Sequence, residues 1–318
     1  MGSDTPAAHL EAANAGVRIP GKGEDDSVND QAAPMDAYEV TLTVAGSPVR
    51  AYRTGSASGG PVVVLLHGGG LDSARLSWQP IWPLLRDSAT LIAPDLPGFG
   101  RSALGRTRPT LAGYRVWLQL FLDAVDLRSA ILVGLSLGGG VALRSALDAP
   151  GRVTGLALCA PYGISARTPG GHAGYLAVHA PAMTTATNAL LRRSDALLRW
   201  SLRNLLKQPD AITEKLLHEV KSELARPDSG VAWAAFQRDE VRWAGPRTQL
   251  STELARIAQP AVLLVGQDDR LVPPEDVRAA AARLPHGRFV EVPGAAHWLA
   301  RDAPEAVAAE ISTLLPSQ

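Results

Sequence analysis

Ala130-Ile131-Leu132-Val133-Gly134-Leu135-Ser136-Leu137-Gly138-Gly139-Gly140-Val141-Ala142-Leu143 is the stretch that decides how this chain folds. The aliphatic run up to Val133 reads as a short strand buried on both faces, and a helical pattern begins at Val141. Between them, Gly134-Leu135-Ser136-Leu137-Gly138 fits the Gly-x-Ser-x-Gly of a nucleophile elbow, provided that strand, sharp turn and helix follow one another. The requirement for glycine is steric. A serine on a strained turn needs neighbours without side chains, so that strand and helix can approach closely. Such a turn pushes the Ser136 hydroxyl out above the sheet and aims the first helical N–H groups at whatever binds there. The competing reading is a glycine-rich turn with an incidental serine, and the rest of the chain decides between the two.

Upstream, Tyr38-Glu39-Val40-Thr41-Leu42-Thr43-Val44 alternates with period two, turns at Ala45-Gly46-Ser47 and continues as Val49-Arg50-Ala51-Tyr52-Arg53. That is an antiparallel hairpin. Pro61-Val62-Val63-Val64-Leu65-Leu66 is a second buried strand, and it runs straight into His67-Gly68-Gly69-Gly70. Backbone N–H groups left bare by glycine can point at an anion, as in HGGG turns that supply half of an oxyanion hole. Gly69 is the expected donor, and His67 is expected to order the loop by hydrogen bonding. A helix is expected over 78–86 and a strand at Leu91-Ile92-Ala93. Asp95, which follows that strand, is read as shaping a βα loop. Leu111, Tyr114, Trp117, Leu118, Phe121, Leu122 and Val125 recur at helical spacing, so 110–126 is a helix with its stripe in the core. A sixth strand is expected at Val153-Thr154-Gly155-Leu156-Ala157-Leu158-Cys159.

From 161 to 260 strand-like runs vanish, and helical segments such as 186–206 and 211–224 are separated by Pro- and Gly-bearing breaks. An all-helical insertion between two strands reads as a lid over the strand ends, where ligands bind in open α/β sheets. Tyr162, Tyr175, Trp200, Trp233, Phe236 and Trp243 together imply an apolar substrate chamber beneath it. Strands resume at Ala261-Val262-Leu263-Leu264-Val265 and Phe289-Val290-Glu291-Val292, with a helix after each. The expected division is therefore a tail at 1–34, a core of 35–160 plus 261–318, and a helical lid at 161–260. Alternating strands and helices make this an α/β protein, one mainly parallel sheet covered on both faces.

Composition narrows the function. The chain has 318 residues, 46% of them hydrophobic, enough for a sizeable core. Lys plus Arg and Asp plus Glu are equal at 31 each, which gives no electrostatic ground for a nucleic-acid partner or an anionic membrane surface. The single cysteine, Cys159, is read as a buried strand residue. No Cys/His spacing resembles a zinc site, so no metal and no cofactor is expected. Without a signal-peptide core or an apolar run long enough to span a bilayer, a cytoplasmic location is the default expectation. The expected partner is a small apolar substrate, and a homodimer is left open.

Ser136, one of Asp268 and Asp269, and His297 all sit on turns that leave the C-terminal ends of strands. A serine hydroxyl is a poor nucleophile until an imidazole takes its proton, and that imidazole needs a carboxylate to fix its tautomer. Of the seven histidines, His297 is the one on a short Gly-containing turn between a strand and the final helix. With these residues in the order Ser, Asp, His, the chain resembles the lidded serine enzymes of the α/β-hydrolase fold. That resemblance implies an eight-stranded, mostly parallel sheet flanked by helices, with the lid inserted after the sixth strand. Relatives commonly write the acid as G-x-x-D-x-x-V-P. Laid on Gly266-Gln267-Asp268-Asp269-Arg270-Leu271-Val272-Pro273, this selects Asp269, with Asp268 as the fallback. The resemblance also implies that the Leu137 N–H is the second oxyanion donor. Gly70, Leu135 and Trp298 are candidates for the substrate pocket.

Within the superfamily the chain is similar to carboxylesterases and to the serine C–C hydrolases that cleave meta-ring-fission products. The latter share an HGGG-like loop, a His-Trp pair like His297-Trp298, and a stretch like Ala211-Ile212-Thr213-Glu214-Lys215-Leu216-Leu217. Two departures set this chain apart. Leu135 precedes the nucleophile where those enzymes usually carry a small polar residue. Val220-Lys221 stands where they carry a lid arginine for the substrate carboxylate, leaving Lys221 or Arg192 and Arg193 as replacement charges. The expected activity is hydrolysis of an apolar carboxylic ester, lactone or thioester through an acyl-enzyme. The alternatives are a C–C hydrolase with the same triad and a non-hydrolytic, ligand-binding or biosynthetic member of the fold.

Overall fold

In the computed structural model, residues 37–54, 60–168 and 170–316 are described. The tail expected over 1–34 lies outside them. The hairpin read from the alternation of 38–53 forms, with Tyr38–Val44 (β1) antiparallel to Ser47–Thr54 (β2). The other strands of the main sheet are Val62–Leu66 (β3), Thr90–Pro94 (β4), Ala130–Leu135 (β5) and Val153–Cys159 (β6). A small pair, Val241–Arg242 (β7) and Gly245–Pro246 (β8), stands apart, and Ala261–Gly266 (β9) and Gly287–Val292 (β10) complete the main sheet. Its order is β1-β2-β4-β3-β5-β6-β9-β10. From β4 to β10 every pairing is parallel, and β2 joins β4 antiparallel.

Parallel strands are covered on both faces, which is why β3 and β5 are apolar without alternation. Val63 and Leu65 pack into one hydrophobic cluster and Val64 and Leu66 into the other, on opposite sides of the sheet. Chain direction across the sheet reverses at β3, because β4 lies on one side of it and β5 on the other. A reversal of this kind opens a crevice at the carboxyl ends of the strands, and ligands bind in such crevices.

Short helices Ala74–Trp78 (α1) and Trp82–Leu85 (α2) replace the single helix expected over 78–86. Pro80 and Pro83 explain the break, since proline ends one helix and suits the first turn of the next. Leu111–Ala124 (α3) matches expectation, capped by Thr110, and Leu137–Asp148 (α4) follows the elbow. Between β6 and β9 run Gly171–Val178 (α5), Pro181–Arg193 (α6), Asp195–Leu202 (α7), Glu214–Leu224 (α8) and Val231–Glu240 (α9). The continuous helix read over 186–206 is in fact α6 and α7, divided at Ser194. That residue is extended (φ −132°, ψ 109°), and its hydroxyl accepts the Leu197 N–H as the cap of α7. The segment is also not wholly helical, since β7 and β8 form an antiparallel pair within it. Pro274–Ala281 (α10), Leu299–Asp302 (α11) and Pro304–Ser312 (α12) close the chain.

Candidate active site

Ser136 stands between β5 and α4 at φ 49°, ψ −111°, a region that L-residues rarely occupy. Its neighbours account for the glycines. A Cβ on Gly134 would lie 2.5 Å from backbone atoms of Gly138 and Gly139, and one on Gly138 would overlap the Leu66 and His67 carbonyls. The turn is then fixed by hydrogen bonds: the Ser136 N–H donates to Cys159 O (2.9 Å), and the Ser136 carbonyl accepts from Gly140 (3.0 Å) and Tyr162 (2.8 Å). As the first residue of α4, Leu137 has an N–H with no intrahelical acceptor. The Gly69 N–H likewise has no acceptor among the described residues.

Further along the same end of the sheet, the carboxyl ends of β9 and β10 bring two turns together. A Cβ on Gly266 would overlap the carbonyls of Ala295 and Ala296, so only glycine allows this approach. The result is a bond of 2.8 Å in which His297 Nδ1–H donates to Asp269 Oδ2. Both residues are buried. The second Asp269 oxygen accepts the N–H groups of Leu271 (2.8 Å) and Val272 (3.0 Å), which holds the carboxylate in place. An acceptor on Nδ1 puts that proton there and leaves Nε2 as the basic nitrogen. Asp268 points elsewhere: it is 3.6 Å from Lys207 Nζ, with its side chain about half exposed at 45%.

Ser136 and His297 border one cavity of about 560 Å³, whose wall is mainly apolar. Gly69, Gly70, Leu135 and Trp298 also border it. Of the six aromatics, Tyr162, Trp233 and Phe236 line this cavity. Trp200 and Trp243 are exposed at 65% and 56%, and Tyr175 packs edge-on against Trp243 instead. A smaller space of about 290 Å³ adjoins it, sharing Gly70, Leu71 and Trp233 and adding Thr187 and Asn188. Lys221 is paired with Asp195 at the surface, and neither it nor Arg192 or Arg193 borders the cavity.

Among the residues that hold the site, Asp72, Ser77 and Asp302 were not singled out from sequence, whereas His67 and Asp95 were. Asp72 is buried, and its carboxylate accepts from Gly68 N–H (2.7 Å), Ser73 N–H (2.8 Å) and the Ser77 hydroxyl (2.6 Å). Ser77 in turn accepts the Trp298 Nε1–H at 2.8 Å. The glycine loop and the histidine turn are thus joined through α1. Burial pushes the Asp72 carboxyl up to about 6, against the opposing pull of those hydrogen bonds. His67 bridges two loops: Nδ1–H donates to Gly68 O (2.7 Å), and Nε2 accepts from Leu96 N–H (2.9 Å). Asp95 receives the N–H groups of Ala74 and Arg101, both at 2.8 Å. Asp302 does similar work beside His297, accepting from Ala296 N–H at 2.7 Å and from Lys207 and Gln208. An acid just after a glycine-rich loop was a readable signal for Asp72; Ser77 and Asp302 carried none.

The model of the alpha/beta hydrolase family matches residues 63–310, from β3 into α12. The chain belongs to this family. An uncharacterized protein of Mycobacterium tuberculosis is 29% identical over 265 residues, covering 80% of this chain and 74% of that one. The 2-hydroxy-6-oxo-2,4-heptadienoate hydrolase of Pseudomonas putida is 29% identical over 228 residues, covering 68% and 75%. Among solved structures, a thermophilic esterase from Thermogutta terrifontis is 26% identical with a TM-score of 0.67, covering 87% of this chain and 97% of its own. The proteins that this hydrolase resembles therefore include an esterase and a 2-hydroxy-6-oxo-2,4-heptadienoate hydrolase. Among the described residues no helix is long and apolar enough to cross a membrane.

Proposed function

We propose that this hydrolase cleaves an apolar carboxylic ester, lactone or thioester through Ser136, His297 and Asp269. The observation that carries the reading is the strained Ser136 and the carboxylate-bound His297 on the wall of one mainly apolar cavity. Ser136 Oγ adds to the substrate carbonyl as its proton passes to His297 Nε2. Asp269 keeps the tautomer that makes Nε2 basic and stabilises the imidazolium. Charge on the former carbonyl oxygen is taken up by the Gly69 and Leu137 N–H groups, each worth on the order of 3 kcal/mol in the transition state. Collapse expels the alkoxide or thiolate, which takes the proton from His297. Water then follows the same route to release the acid. Helices α5–α9, which contribute Trp233 and Phe236 to the cavity wall, serve as the lid that keeps water out.

Labelling with a fluorophosphonate tests the nucleophile. The wild type is expected to be modified at Ser136 and Ser136→Ala to stay unlabelled; an unlabelled wild type would remove the reading and favour a non-hydrolytic member of the fold. The C–C hydrolase reading keeps the same triad and is supported by the P. putida relative. Turnover of a vinylogous keto-acid well above that of simple esters, in parallel assays, would favour it over ester hydrolysis.

A further inference from the structure

The cavity carries a polar corner that the proposed reaction leaves unused. Ser165 and Thr168, on the segment leaving β6, both border it. Their hydroxyl oxygens are buried and have no hydrogen-bond partner among the described residues. Buried hydroxyls are normally satisfied, so two orphans on one cavity wall point to an acceptor supplied from outside the chain. Between them stands Arg167, which also borders the cavity, is exposed, and forms no ion pair with any described residue. It is the one Lys or Arg on that wall among the described residues.

Two carboxylates share the wall, and neither engages Arg167. Asp72 is occupied by Gly68, Ser73 and Ser77. Glu240 accepts from the Tyr162 hydroxyl (3.1 Å) and from the Thr248 N–H (3.0 Å) and hydroxyl (2.8 Å). Arg167 is therefore available to a ligand. The distance of this corner from the nucleophile is bounded by the chain: the Tyr162 N–H lies 2.8 Å from the Ser136 carbonyl, and the backbone from there spans at most about 11 Å to Ser165 and about 18 Å to Arg167.

We infer that Ser165, Arg167 and Thr168 form a carboxylate subsite, so that the preferred substrates are esters bearing a free carboxylate a few carbons from the scissile bond. A planar guanidinium flanked by two hydroxyl donors matches a carboxylate. A single cation on a mainly apolar wall suits a monoanion better than a dianionic phosphate. Monoesters of short dicarboxylic acids are the simplest members of this class. The inference rests on the proposed ester hydrolysis for its choice of ligand, but its test does not depend on turnover.

Binding to Ser136→Ala protein is compared by calorimetry for monomethyl glutarate and its neutral amide isostere, methyl glutaramate. The charged ester is expected to bind at least roughly ten-fold tighter, a difference of about 1.4 kcal/mol. Arg167→Gln in the same background is expected to bring the two within about two-fold, and Ser165→Ala with Thr168→Val to reduce the ratio in part. Circular dichroism confirms that each variant is folded. Equal affinities, a preference that survives Arg167→Gln, or no binding of monomethyl glutarate up to about 10 mM would overturn the subsite. Fluorophosphonate labelling of the wild type separates the two claims: its failure removes the ester reaction, whereas equal affinities remove the subsite alone.

Discussion

Ser136 at φ 49° occupies a backbone state that costs on the order of 1–3 kcal/mol and persists only where its surroundings enforce it. The pentapeptide makes the need for glycine legible, but not the Tyr162 N–H that holds the Ser136 carbonyl from a distant loop. His67 shows the same division. Its place before three glycines marks it as a loop organiser, while its partners and burial emerge only in three dimensions. Burial pushes its imidazole down from 6.5 to about 4, with the bond to Gly68 acting against the shift. The unfolded chain thus takes up this proton at a higher pH than the folded one. The contribution of His67 to stability is intact above the unfolded value and is lost as pH falls towards about 4. Asp72 and Asp95, pushed up by burial to about 6 and about 7, act with the opposite sign. They are common to the wild type and His67→Gln, so the difference between those two proteins isolates the histidine. That difference, from urea unfolding, is expected to narrow by about 2–3 kcal/mol between about pH 7 and about pH 4.5. A constant difference would refute a buried neutral imidazole.

Elements were legible where a single physical demand set their pattern. The fully buried β5 and β9, the nearly buried β3 and the striped α3 fall where their apolar residues require. Breaks decided by one side chain were not: Ser194 divides α6 from α7 because its hydroxyl serves the next helix better than its backbone continues the last. Contacts between elements were least legible of all. The Trp298–Ser77 bond joins residues 221 apart in sequence, and no local pattern encodes it. Through Ser77, α1 couples the indole beside His297 to the carboxylate that holds the Gly68 N–H, and so couples the histidine turn to the glycine loop. Ser77→Ala leaves a buried indole N–H without its acceptor, at about 1–3 kcal/mol in stability. It is expected to lower kcat on the order of ten-fold by loosening the loop, with a smaller change in KM. Trp298→Phe removes the same link from its other end. If the link acts as one unit, the double variant loses little more kcat than either single variant. Fully additive losses would show that the two residues act separately.

At the scale of the whole molecule, the order Ser, Asp, His along the chain foretold that three turns meet above one end of the sheet. The strand order, which puts β3 between β4 and β5, was hidden, because nothing in β3 records which strands flank it. Nor did aromatic content reveal which rings line the cavity. Trp233 matters most here: it borders both spaces, of about 560 and 290 Å³, and its ring occupies the room that a Cβ on Gly69 would need. It also stacks on Phe236 at 5.4 Å, and Phe236 meets Tyr162 edge-on at 5.2 Å. Tyr162 is the residue whose N–H holds the Ser136 carbonyl, so one aromatic row runs from the glycine loop at Gly69 to Ser136. Removing the indole in Trp233→Ala merges the two spaces and makes room for a longer chain. Each buried methylene adds about 0.8 kcal/mol, so four more, incompletely buried, should raise relative kcat/KM for p-nitrophenyl octanoate over butyrate roughly ten-fold. The ratio is the proper reading, because losing the contact with Gly69 lowers activity on every ester. Trp200→Ala, at a residue that is 65% exposed and off the cavity wall, controls for the loss of any tryptophan and is expected to leave the ratio unchanged. A folded Trp233→Ala protein with the wild-type chain-length profile would show that the indole does not divide the space the substrate uses.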